Sequence, residues 1–206
     1  AIARHWHRYG IQVPEILQTD LEQGFLLLED FGDNLMLAEL NASNADRLYE
    51  GALTELVQIQ QLAAPDDYPL PPYDAELLDR EMALFPDWLL EQYLGLSLDN
   101  TERALLDTAF AFLRESALAQ PEVTVHRDYH SRNLLVTDNT DRPGVIDFQD
   151  AVCGPVTYDA VSLLKDCYIQ WPEEAICRWL EFFRQRSADA GLHRADAETF
   201  RQWFEL

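Results

Sequence analysis

A polar segment between apolar runs is the feature that most restricts how this chain can fold. The stretch VHRDYHSRNLLV (125–136) gathers histidine, arginine, aspartate and asparagine and then turns apolar, and a second apolar run, VID, follows at 145–147. The residues between the two runs, TDNTDRPG, are typical of a turn. The pattern predicts an antiparallel β-hairpin that is entered from a polar loop.

The register of this hairpin decides which polar side chains meet. A pairing of Leu135 with Val145 would place Asn133 directly opposite Asp147 at the open end of the hairpin. Opposed residues lie about 4.5–5.5 Å apart, and amide and carboxylate oxygens are ligands that suit Mg²⁺. We therefore expect Asn133 and Asp147 to converge on one site.

Asp128 adds a third polar group, because it lies in the loop five residues before Asn133. A loop aspartate, an asparagine and a second aspartate after a hairpin form the arrangement used for phosphoryl transfer, in which the first aspartate accepts the hydroxyl proton of the substrate. Solvated turn residues are the alternative interpretation. A zinc pair of His126 and His130 is disfavoured, since the segment lacks the helical HExxH pattern.

The rest of the chain predicts an α+β fold. Two short apolar runs at 13–17 and 24–30 predict a strand pair, and helical patterns follow at 46–63, 75–95 and 99–120 and again from about Thr157. Pro86 should bend or break the second of these helices. Asp159 begins the last helical run, either as its N-cap or as a brace beneath the polar loop. No repeating βαβ pattern is present, which argues against a doubly wound sheet.

Charge and cysteine usage limit the partners. The chain has 15 Lys+Arg against 37 Asp+Glu, a formal net charge of −22, and such a surface repels nucleic acid and anionic membranes. There is no apolar run of transmembrane length and no leader pattern. Three cysteines without a CxxC pair favour a reducing compartment. We expect a cytoplasmic protein that binds neither nucleic acid nor a membrane, and its oligomeric state stays open.

The motifs resemble those of the aminoglycoside phosphotransferase and choline kinase family. LLLEDFGD (26–33) resembles the strand and hinge that hold adenine, VHRDYHSRNLLV resembles the catalytic loop, and GVIDFQDAVCGPVTYDAVSLL (144–164) resembles the metal-binding strand and the following helix. The wording of PPYDAELLDREMALFPDW (71–88) and LLKDCYIQWPEE (163–174) is most similar to bacterial sugar kinases of this family. Those kinases phosphorylate the anomeric hydroxyl of N-acetylmuramate and N-acetylglucosamine in cell-wall recycling.

The resemblance implies a protein-kinase-like α+β fold, with a remnant of the β-rich N-lobe and the hinge at 1–33 and a mostly helical C-lobe at 34–206. It implies an ATP-dependent phosphotransferase that uses ATP and Mg²⁺ and acts on an amino sugar. The implied roles are a catalytic base at Asp128, metal ligands at Asn133 and Asp147, hinge groups for adenine at Glu29 and Phe31, a structural brace at Asp159, and substrate contacts at His130 or Asp150.

The chain also departs from the family pattern. The residues before the hinge contain no Gly-rich loop and no lysine, and the family continues with further helices beyond the position of Leu206. We therefore expect a chain truncated at both ends that does not turn over ATP by itself. Two alternatives stay open at this point. One is a phosphotransferase for aminoglycosides or other amino alcohols, and the other is a kinase-like binding module without catalysis.

Overall fold

The structure is a computed structural model that describes residues 1–137 and 141–206. It has the predicted α+β character, with helices as the main component and strands only in short pairs. The helices are α1 (Ile2–Arg8), α2 (Met36–Glu39), α3 (Ala45–Gln60), α4 (Ala75–Met82), a π-helix (Phe85–Tyr93), α5 (Asn100–Leu118), α6 (Tyr158–Leu164), α7 (Glu173–Asp189) and α8 (Ala197–Glu205). The strands are β1 (Ile16–Asp20), β2 (Phe25–Leu28), β3 (Glu122–Val125), β4 (Leu134–Leu135), β5 (Gly144–Val145) and β6 (Val152–Pro155).

Helix α3 forms the centre of the core. One face of this helix is buried, and it packs against α7, where the rings of Tyr49 and Trp179 stack with centroids 4.1 Å apart. The indole N–H of Trp179 donates to Asp46 at 2.9 Å, so the polar edge of this buried ring is satisfied. The hydroxyl of Tyr129 donates to the carbonyl oxygen of Ala52 at 2.8 Å. The polar loop therefore rests directly on the central helix of the core.

The helical run at 75–95 is interrupted where Pro86 predicts a break. Helix α4 ends at Met82, and a π-helix with Pro86 in its first turn follows. Proline is tolerated in a first turn because the missing N–H would have no intrahelical acceptor there. The sequence thus divides one helical pattern into two differently wound segments.

Three antiparallel pairs, β1–β2, β3–β6 and β4–β5, make up the sheet structure of the described residues. The last pair is the predicted hairpin, but the predicted register is wrong by one residue. Leu134 pairs with Val145 and Leu135 pairs with Gly144. Residues 138–140 of the predicted turn lie outside the described residues.

Packing behind the hairpin explains the observed register. A Cβ on Gly144 would lie 2.5 Å from the ring of Phe31, so the paired position beside that ring needs a residue without a side chain. The N–H of Val145 also donates to the carbonyl oxygen of Gln12 at 2.7 Å. These long-range contacts fix the strand, and turn composition contains no information about them.

Among the helices of the described residues, none is long and apolar enough to cross a membrane.

Candidate active site

The polar loop is held from below by Asp159, which lies in the first turn of α6 and is fully buried. Its carboxylate accepts the backbone N–H of His126 at 2.7 Å and that of Arg127 at 3.0 Å. The residue that caps α6 is Thr157, so the interpretation of Asp159 as the N-cap is wrong. Burial raises the pKa of Asp159 to about 7, although the two N–H donors act in the opposite direction.

A second buried carboxylate, which the sequence analysis missed, holds the other end of the loop. Asp166 follows α6 and accepts the N–H of Ser131 at 3.0 Å, and the hydroxyl of Ser131 also donates to the same oxygen. Asp159 and Asp166 thus support the loop from opposite ends of one helix. No local motif marks Asp166, because its partner lies 35 residues away in the chain.

His126 links the loop to the hairpin as a buried neutral ring. Its Nδ1 lies 3.3 Å from the backbone nitrogen of Asp128 and accepts that N–H, which assigns the proton to Nε2, 3.0 Å from the carbonyl oxygen of Ile146. Burial lowers the pKa of His126 to about 4, so the ring is uncharged at neutral pH. A ring with both nitrogens engaged is unavailable for zinc.

Asn133 and Asp147 do converge, despite the shifted register. The side-chain amide of Asn133 donates through Nδ2 to the backbone oxygen of Asp128 at 3.0 Å and to Oδ2 of Asp147 at 3.3 Å. Asp147 has a φ of 66°, which is uncommon for a residue other than glycine. This left-handed residue interrupts the alternation of side chains along the strand, so Asp147 meets Asn133 without being directly opposite it.

The donor set of this pair suits Mg²⁺. Because Nδ2 of Asn133 is held by the Asp128 carbonyl, its Oδ1 is left without a hydrogen bond among residues 1–137 and 141–206. Magnesium accepts one or two protein oxygens and takes its other ligands from water and phosphate. The described residues contain no group of three or more His, Cys, Asp or Glu side chains suited to a metal. A cation held here would therefore depend on such external oxygens.

Two cavities lie along the segment that begins at Asp147. One of about 430 Å³ is lined by Leu26 and Leu28 of the β1–β2 ribbon and by Asp147 and Gln149. The other, of about 350 Å³, shares Gln149 and continues to Arg127 and Asp150. Both cavities also include Tyr68, so the two are neighbours.

The residues expected to form the hinge line a separate cavity of about 520 Å³, together with Asn34 and Val136. The N–H of Glu29 is bonded to the Glu15 carbonyl at 2.9 Å. In the part of the chain that the structure describes, no hydrogen bond uses the carbonyl of Glu29 or the N–H of Phe31. These two backbone groups are free for a ligand.

The two expected substrate contacts lie in different surroundings. Asp150 is exposed and lines the 350 Å³ cavity beside Arg127. His130 packs its ring edge-on against Tyr168, with centroids 5.5 Å apart, and its buried Nδ1 has no partner among the described residues. The geometry therefore favours Asp150 over His130 as a group that can reach a ligand.

Residues 1–198, nearly the whole chain, match the phosphotransferase enzyme family. The chain belongs to this family. A similar curated protein of this family is the N-acetylmuramate/N-acetylglucosamine kinase of Pseudomonas putida, 45% identical over 197 residues, which are 95% of this chain and 57% of the relative. The kinases of the same name from Pseudomonas aeruginosa (44%, covering 89% of this chain and 53% of the relative) and Neisseria meningitidis (38%, 95% and 59%) are also similar. The chain thus spans little more than half the length of these curated relatives.

Solved structures of phosphotransferases share the fold. The ADP-bound aminoglycoside phosphotransferase APH(2'')-Ib has a TM-score of 0.64 at 16% identity, covering 99% of this chain and 77% of that protein. APH(3'')-Id of Streptomyces rimosus, in complex with ADP and streptomycin, has a TM-score of 0.65 at 16% identity, covering 98% and 77%. The expected kinase-like fold is confirmed by these likenesses.

Proposed function

We propose that the protein is an ATP-dependent kinase that phosphorylates the anomeric hydroxyl of N-acetylmuramate or N-acetylglucosamine in cell-wall recycling. The observation that carries the proposal is the amide of Asn133, which lies between the backbone of Asp128 and the carboxylate of Asp147. This contact supports the proposal of a base at Asp128 beside a metal site at Asn133 and Asp147. The names of the relatives support the amino sugar as acceptor.

In this proposal Asp128 is the catalytic base. Asp128 is exposed to solvent, while hydrogen bonds to His126 and Asn133 fix its backbone N–H and carbonyl. An exposed carboxylate on a rigid backbone can accept the proton of an acceptor hydroxyl as that oxygen attacks phosphorus. The two braces beneath the loop reduce the entropy that would be lost in aligning the base.

Asn133 and Asp147 are proposed to hold Mg²⁺. When bound, the ion neutralises charge on the phosphate oxygens of ATP. Asp147 contributes the anionic oxygen and Asn133 a neutral one, and Gln149 donates to Oδ1 of Asp147 at 2.8 Å, which orients the carboxylate.

The free carbonyl of Glu29 and the free N–H of Phe31 are proposed to bind adenine, since the base offers one donor and one acceptor along a single edge. Residues 1–33 then correspond to the N-lobe portion and hinge, and residues 34–206 to the C-lobe. We also propose a cytoplasmic location, because ATP is available there and because Cys153, Cys167 and Cys177 are free thiols, as a reducing compartment would keep them.

An aminoglycoside or another amino alcohol is the second candidate acceptor. The 350 Å³ cavity is lined by the acidic residues Asp74, Glu76 and Asp150, which would favour an ammonium group. The cavity also contains Arg80 and Arg127, so its lining does not select a cation alone.

The test is a kinase assay on the full-length gene product with ATP, Mg²⁺ and each sugar. Replacing Asp128 by Asn should lower kcat by about 10²–10⁴-fold with little change in ATP affinity, because the base acts on the acceptor.

The 1-O-methyl glycosides should be inert, since the attacking oxygen is blocked. Turnover of a methyl glycoside would move the transfer to another hydroxyl. Phosphorylation of aminoglycosides alone would support the second candidate, and ATP binding without transfer to any acceptor would indicate a binding module.

A further inference from the structure

Arg127 occupies a backbone conformation that favours glycine. Its φ is 80°, in the left-handed region that residues with a Cβ adopt only at a cost. The turn is stabilised by the Asp159 carboxylate, which any residue at position 127 could use through its backbone. Because glycine would fit this turn without strain, the side chain of Arg127 is the part that requires an explanation.

That side chain forms an ion pair with Glu81 of α4, where Nη2 of Arg127 lies 2.5 Å from Oε1 of Glu81. Both side chains are shielded, with 27% and 29% of their surface exposed. The other carboxylate oxygen of Glu81 accepts the hydroxyl of Tyr73, so both oxygens of Glu81 are held. Burial raises the pKa of Tyr73, which therefore remains a donor.

Tyr73 in turn is fixed to the sheet beside the loop. Its N–H donates to the carbonyl oxygen of Cys153 in β6 at 2.7 Å, and a Cβ on Gly154 would lie 2.8 Å from the Cβ of Tyr73. Strand β6 pairs with β3, and β3 leads directly into the polar loop. Helix α4 is therefore linked to strand β6 through Tyr73 and to the polar loop through Arg127, and Glu81 contacts both residues.

Polar contacts help to hold α4 there, in addition to the partly buried packing of Leu77 and Leu78 against the core. None of the residues of α4, all of which the structure describes, is buried. The same helix contributes Leu77 and Arg80 to the 350 Å³ cavity that Arg127 and Asp150 also line. A ligand in this cavity would touch α4 and the loop together, so their relative position determines where Asp128 meets that ligand.

We propose that Glu81 is a positioning residue, which acts through Arg127 to fix the turn that presents Asp128. This inference rests on the proposed kinase function. Glu81 touches neither the base nor the metal pair. Its effect is to hold the guanidinium of Arg127 and thereby keep the turn before Asp128 in one arrangement against α4.

The experiment uses the E81Q variant of the full-length gene product with ATP and N-acetylglucosamine or N-acetylmuramate. We expect kcat to fall about tenfold to a hundredfold, the range that a small displacement of a catalytic group produces. The KM for Mg·ATP should change little, because Asn133 and Asp147 do not contact the ion pair of Glu81 and Arg127. An E81Q enzyme with wild-type kcat would overturn the inference.

The matched control is D79N, on the same helix. Asp79 pairs with Nη1 of Arg114 of α5 at 2.7 Å, so this variant also removes the charge from an arginine–carboxylate pair of α4. It should lower Tm no more than E81Q does, because the Asp79 side chain is 49% exposed, and it should leave kcat unchanged. An equal loss of kcat in the two variants would show that α4 is only a structural support.

The R127G background identifies the route of the effect. Glycine accepts the left-handed turn but lacks the guanidinium, so E81Q should cause no further loss of kcat in R127G if Glu81 acts through Arg127. Full additivity would overturn the inference.

A wild-type protein that phosphorylates neither sugar would refute the proposed function instead. In that case, amide hydrogen exchange at 126–133 decides the inference by itself: it should accelerate in E81Q and not in D79N, and unchanged exchange in E81Q would refute it.

Discussion

Asp159→Asn should change how the stability of the protein depends on pH. The folded-state pKa of Asp159 is about 7, raised from 3.8 by burial. Between these values the folded protein keeps a proton that the unfolded chain has released, so the free energy of unfolding falls as pH rises. This contribution is fully present below about pH 4 and is lost as pH rises to about 7. Asparagine cannot ionise, so the variant lacks this loss.

The size of the effect follows from the shift in pKa. Each pKa unit corresponds to about 1.36 kcal/mol, and about two pH units separate pH 5 from the folded-state pKa of Asp159. The free energy of unfolding of the variant minus that of the wild type should therefore rise by about 3 kcal/mol between pH 5 and pH 8. A constant penalty of about 1–3 kcal/mol opposes this gain, because the amide can accept only one of the two N–H groups of His126 and Arg127.

Urea unfolding of both proteins from pH 5 to pH 8 measures this difference. The range stays above the acid region, where the net charge of −22 approaches zero and association is favoured. Groups that the two proteins share, such as His126, cancel in the subtraction. Asp128 also raises the pKa of Asp159, so a D128N background should shrink the effect. A difference that is constant with pH, or that falls, would show that the N–H donors outweigh burial.

Two further predictions concern the metal pair and the buried histidine. Asp147→Asn in the full-length gene product should raise the KM for Mg·ATP, because the anionic ligand is lost, and an unchanged KM would argue against the metal role. His126 has a folded-state pKa lowered from 6.5 to about 4, so the stability it contributes is present above pH 6.5 and lost as pH falls toward 4. His126→Asn should remove up to about 2 kcal/mol of this acid sensitivity between pH 6.5 and pH 5 in the same urea series, and an unaltered slope would contradict the assignment.

The polar loop and its hairpin could be predicted because their chemistry is local. Asp128, Asn133 and Asp147 lie within twenty residues of one another, and two short apolar runs are enough to bring them together. The register could not be predicted from those runs. It depends on the ring of Phe31 against Gly144, a contact between segments more than a hundred residues apart. The left-handed turn at Asp147 restored the convergence that the correct register alone would have lost.

Periodicity and turn chemistry act over a few residues, so the α+β class, the break near Pro86 and the identity of the polar groups can be read from the chain alone. What supports those groups depends on tertiary contacts. The carboxylates of Asp159 and Asp166 and the ion pair of Glu81 each meet the loop across more than thirty residues of chain. Such contacts leave no local pattern, because a buried acid and a solvated acid have the same side chain. They differ in how much of the side chain the rest of the folded chain buries.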